Sequence, residues 1–100
     1  MKFGLPEETI IKINKVFAKY PEIEKVIIYG SRAKGNYRIG SDIDLTIMSI
    51  NNAHLLLTKI LNDLDELLLP YMIDLSFYID ISNENLKEHI KRVGQVFYEN

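Results

Sequence analysis

From Asp42 to Met48 the side chains alternate without a break: Asp42, Asp44, Thr46 and Met48 fall in one phase, Ile43, Leu45 and Ile47 in the other. A period of two belongs to a strand with one apolar side for a core and one polar side that carries the acids. Asp42 and Asp44 then emerge on the same face, about 7 Å apart. Carboxylates so placed repel each other unless a cation sits between them. Hard oxygen ligands of this kind suit Mg²⁺, which usually combines one or two carboxylates with substrate phosphates, and they accept Mn²⁺ as well. Just upstream, Gly30-Ser31-Arg32-Ala33-Lys34-Gly35 forms a glycine-serine turn able to receive the phosphate end of such a ligand.

The remaining elements follow from periodicity. Pro6 suits a first helical position, Glu7 and Glu8 suit the positive end of the helix dipole, and Ile10, Ile13, Phe17 and Tyr20 recur at helical spacing, giving a helix over residues 6–20. Lys25-Val26-Ile27-Ile28-Tyr29 is a β-branched and aromatic run ended by Gly30, a buried first strand. Beyond Asn51-Asn52, the residues Ala53, Leu56, Leu57, Ile60, Leu61, Leu64, Leu67 and Leu68 form one wide helical stripe, which Pro70 stops. Residues 71–78 alternate again, with Asp74 opposite in phase to Ile73 and Leu75. Ser82 is expected to cap a last helix whose stripe is Leu86, Ile90, Val93 and Phe97. The order predicts a single α+β domain over residues 1–100, two-layered, with a small mixed sheet, helices packed on one face and acids on the other.

Each aspartate alone has an ordinary account. Asp42 could be a turn residue after Gly40-Ser41, Asp44 could face water on an edge strand, and Asp74 could pair with a lysine or arginine. All three in phase behind a glycine-serine turn call for more, because aspartate is depleted in strands and costly to bury unpaired. If the second and third strands are neighbours, Asp74 joins Asp42 and Asp44 in a three-carboxylate cluster able to hold two metal ions about 4 Å apart. Arg32 and Lys34 could reach phosphate oxygens, Arg32 bidentately, or remain solvated charges on a loop. The stretch between Gly35 and Gly40 could close over a nucleotide or be a plain surface loop. His54 and His89 lack a partner at zinc-ligand spacing and read as surface or packing residues.

Composition narrows the function classes. With 12 Lys and Arg against 14 Asp and Glu, a net charge of -2, the chain lacks the basic footprint of nonspecific nucleic-acid binding. Without cysteine it has neither disulfides nor thiolate metal sites, so its chemistry rests on oxygen and nitrogen ligands. No segment approaches the roughly 20 apolar residues of a membrane span, and Met1 to Pro6 lack a signal peptide's apolar run, so a cytoplasmic protein is expected. One hundred residues leave little room for a separate substrate-recognition domain, and a second macromolecule is expected to supply what is missing.

Gly30-Ser31, a spacer, Asp42-Ile43-Asp44 and a lone Asp74 in a following strand together resemble the DNA polymerase beta-type nucleotidyltransferase superfamily. Gly-Ser-Arg-Ala-Lys-Gly leading to Ser-Asp-Ile-Asp-Leu is closest to its minimal nucleotidyltransferases, the MNT group. The specific likeness covers residues 26–48 and Asp74. It implies that Asp42 and Asp44 coordinate both divalent ions, that Asp74 ligates the catalytic ion and helps activate an acceptor hydroxyl, and that Gly30 and Ser31, with Arg32 and Lys34, bind the triphosphate. Lys34 stands where the family also commonly has arginine. The implied reaction moves a nucleoside monophosphate, AMP from ATP, to a hydroxyl. Members of the minimal group are commonly antitoxins paired with a HEPN-type ribonuclease toxin from the adjacent gene, and some adenylylate a tyrosine of that toxin. Two other functions compete: an antitoxin that neutralises its partner by binding alone, and transfer to a small molecule, for which so short a chain offers little pocket wall.

Overall fold

The computed structural model describes residues 1–48 and 54–100. Helix α1 (Glu7–Ala18) begins after Pro6 and buries Thr9, Ile13, Val16 and Phe17. Strand β1 (Lys25–Tyr29) runs straight into the short helix α2 (Gly30–Lys34), and β2 (Ile43–Met48) returns antiparallel to β1. A short 3-10 turn at His54–Leu56 leads into α3 (Leu57–Asp65), the crossover that lets β3 (Ile73–Phe77) lie parallel to β2. Helix α4 (Glu84–Val93) and strand β4 (Gln95–Glu99) follow, and β4 pairs antiparallel with β1. The sheet order is β3-β2-β1-β4. No helix among the described residues is long and apolar enough to cross a membrane.

The α+β architecture and the small mixed sheet agree with the sequence pattern, and three details of the elements themselves differ. The chain's end is not one helix: α4 stops at Gly94, and Phe97 sits in β4. A Cβ at position 94 would collide with the Ile90 carbonyl and come within 2.7 Å of Ile27 Cγ2, so the close approach of α4 to β1 depends on glycine there. Val93 and Phe97 are four residues apart, so the stripe looks continuous although the backbone changes between them. The cap of α4 is Asn83, whose side-chain oxygen accepts the Leu86 N–H at 3.1 Å, and not Ser82. The leucine stripe is also shorter than its period suggests: Ile60 and Leu64 are buried, but Leu68 lies past the helix, 88% exposed, with φ +54°. Ala53 lies outside the described residues.

Two apolar clusters hold the sheet. The larger joins Val26 and Ile28 of β1, Ile43, Leu45 and Ile47 of β2, and Leu75 and Phe77 of β3 to Ile13, Val16 and Phe17 of α1 and Ile60 and Leu64 of α3. The smaller, on the opposite face, joins Tyr29, Ile81 and Ile90, with Ile27, Leu86 and Val93 packed against them. Helix α4 thus covers β1 on the acid-bearing face, beside the acids, so the helices are not all on one face as the sequence order predicts: the apolar stripe of α4 is matched by Ile27 and Tyr29, which point away from the main core.

Candidate active site

Three adjacent strands bring the site together. Tyr29 of β1 is paired with Asp44 of β2, and Asp44 is paired with Asp74 of β3, so the three side chains form one row across the sheet. Asp42 lies immediately before β2 and is exposed, as is Asp74, whereas Asp44 is half-buried. Its carboxyl is pushed above the usual carboxylate range by burial first, then by the negative charges of Asp74 and Asp42. The three acids foreseen from the sequence therefore act on one another electrostatically. They do not form a closed cage: among the described residues no group of three or more histidine or acidic side chains is set as a ready metal site.

At the end of β1 the backbone turns at Gly30 with φ +74°. A Cβ there would strike Asp44 Oδ2, so only glycine lets the carboxylate lie on the turn. This contact joins the glycine-serine turn to the acid pair, two features that the sequence keeps 14 positions apart. Ser31, next in the turn, is half-buried. Lys34 ends α2, exposed, and Gly35 closes the helix in a left-handed conformation.

Arg32 does not face the acids. Its side chain is buried, with the residue only 3% exposed, and its guanidinium donates to backbone carbonyls. Nε and Nη2 reach the Ser41 carbonyl at 3.0 and 2.9 Å, and Nη1 reaches those of Phe3 and Gly4 at 3.0 and 3.3 Å. The rings of Tyr37 and Tyr71 flank it, 5.4 and 5.1 Å away. The expected phosphate role, and the alternative of a solvated loop charge, both give way to this inward placement. A planar fork with five donors can serve several carbonyls at once, and these bonds offset the cost of burying the charge. Arg32 still bears on the site, since it fixes Ser41, the residue before Asp42.

The floor of the site and one wall are built by residues with little mark in the sequence. The Tyr29 hydroxyl is hydrogen-bonded to Ser76, and its pKa is raised by burial and by Asp74, the Ser76 bond partly offsetting them. Ser76 Oγ donates to Thr46 Oγ1 at 3.2 Å, and Thr46 is fully buried. The alternation of β1 carried a signal for Tyr29, which shares its phase with Ile27 rather than with the core residues Val26 and Ile28. For His89, on α4, there was no such signal; its Nε2 accepts the Gly30 N–H at 3.2 Å.

A glycine-serine turn is thus pressed against one carboxylate, with a second carboxylate one strand away on a small mixed sheet. Residues 11–100 match the family model described as polymerase beta, nucleotidyltransferase, and the chain belongs to that family. No curated protein matches it. Among solved structures it is similar to a chain of a toxin-antitoxin complex with AMP-PNP, at 20% identity and TM-score 0.70, over 96% of this chain and 75% of that one. It is similar to a chain of the MntA-HepT toxin-antitoxin at 15% identity and TM-score 0.68, over 95% and 74%. A third likeness is to tri-AMPylated Shewanella oneidensis HEPN toxin in complex with MNT antitoxin, at 16% identity and TM-score 0.67, over 94% and 72%. At such identities these likenesses speak for the fold.

Proposed function

We propose that this chain is a metal-dependent nucleotidyltransferase that moves AMP from ATP to a hydroxyl of a partner protein, a HEPN-type toxin, and so acts as an antitoxin. The observation that carries this reading is the contact of Asp44 with the Gly30 turn, with Asp74 in register beside it. Similar folds occur in complexes described with AMP-PNP and with an AMPylated HEPN toxin. The donor set fits a divalent cation: it is all carboxylate oxygen, and the repulsion from Asp74 and Asp42 that adds to burial in raising the Asp44 pKa is what a cation would relieve. Asp42, Asp44 and Asp74 would hold Mg²⁺, or Mn²⁺, which when bound would neutralise charge developing on the phosphates.

The chain's own residues would do the rest. Gly30 and Ser31 receive the triphosphate, and exposed Lys34 is free to swing toward its oxygens. Asp74 accepts the proton of the acceptor hydroxyl. The hydroxyl oxygen forms a bond to the α-phosphorus while the bond from that phosphorus to the bridging oxygen breaks, and pyrophosphate leaves. The acids lie at an open corner of the sheet, where a macromolecular acceptor can approach, and a cytoplasmic setting suits a partner made from the adjacent gene.

The test is to incubate the protein with Mg²⁺, α-labelled ATP and the adjacent gene's product, with Asp42→Ala and Asp44→Ala as controls. Label on the partner that disappears in both variants is expected. A tight complex without label would leave an antitoxin that works by binding alone.

A further inference from the structure

His89 stands on α4, which is firmly seated: Asn83 caps it, and Leu86, Ile90 and Val93 pack against Tyr29 and Ile81. From there the imidazole reaches the foot of the β1–α2 turn. Its Nε2 accepts the Gly30 N–H at 3.2 Å, and its ring meets Tyr29 edge-on, with centroids 6.2 Å apart at 82°. A backbone N–H can only donate, so Nε2 is the unprotonated nitrogen in this contact.

Gly30 needs such an anchor. Glycine adopts φ on either side of zero at little cost and has no side chain to be held by packing. Yet this glycine sits at φ +74° directly under Asp44 Oδ2, so any drift of its peptide displaces the carboxylate. We propose that His89 is a positioning residue: by accepting the Gly30 N–H while braced on Tyr29, it pins the turn on which Asp44 rests and thereby sets that carboxylate's place for nucleotidyl transfer. The catalytic consequence rests on the transfer reading above, whereas the pin itself does not.

Two variants separate the acceptor from the packing. His89→Phe keeps a ring against Tyr29 and removes the acceptor; His89→Gln keeps an acceptor oxygen at similar reach. Amide hydrogen exchange at Gly30, followed by NMR, reads the pin, and kcat and KM for Mg²⁺-ATP with the partner protein read its consequence. In His89→Phe, Gly30 exchange is expected to speed up and kcat to fall, each about tenfold, with KM for ATP within about twofold; His89→Gln should restore both to within about threefold. If His89→Phe does not fold, His89→Asn, whose amide stops short of Gly30, takes its place. Unchanged exchange or unchanged kcat in the acceptor-less variant overturns the proposal, and so does an equal loss in His89→Gln. Should the wild-type protein transfer no label at all, the transfer reading fails and the pin stands or falls on Gly30 exchange alone.

Discussion

On one face of the sheet, Val26, Ile28, Leu45 and Ile47 meet Phe17, Ile13 and Ile60 in an apolar layer closed by α1 and α3. On the other, the small cluster around Tyr29, Ile81 and Ile90 covers β1 under α4, while Asp44 and Asp74 stay at the open corner. The same strands feed both faces, because alternate residues point opposite ways. One face can therefore maximise burial while the other keeps charges close together, at a local cost that the first face offsets. Stability and chemistry are separated by the thickness of one sheet.

Substitutions on either face test that division. The largest effect on folding is expected from Phe17→Ala, which empties the middle of the closed layer and should cost about 3–5 kcal/mol in urea denaturation. Arg32→Ala comes next, at about 3 kcal/mol, because it strips donors from the Ser41, Phe3 and Gly4 carbonyls. Arg32→Lys should recover only part of this, a lysine having no planar fork. A large fall in transfer without a fall in stability for Arg32→Ala would refute its structural assignment.

Asp44→Asn gives the smallest change in stability, and its sign is opposite. The folded-state pKa of Asp44 is raised, so its neutral form favours folding below the ordinary carboxyl pKa, and that contribution is lost as pH rises through the raised value. At neutral pH without metal the charged wild type carries a penalty that the amide removes. The variant should melt higher than wild type at pH 7, the gap should close below about pH 4, and transfer should be abolished. A lower melting temperature at pH 7 would show that Asp44 holds the fold together rather than straining it.

Much of the site was legible because its signals are local. Alternation fixes which face carries Asp44 and Asp74, and a glycine after a β-branched run marks the turn. The fate of Arg32 was not, since its partners lie about 30 positions back at Phe3 and Gly4 and 9 ahead at Ser41. Nor was β4, where a four-residue spacing across Gly94 imitates a helix.

Residue type and short-range period were enough to place the strand that bears Asp42 and Asp44, the glycine-serine turn, the third acid in β3 and the α+β class. The pairing of Asp44 with Asp74, the contact of Asp44 with Gly30, the inward turn of Arg32 and the arrival of His89 came from the folded chain. Those depend on which distant segments pack together, and packing is set by the burial of whole faces, which no short stretch of chain encodes.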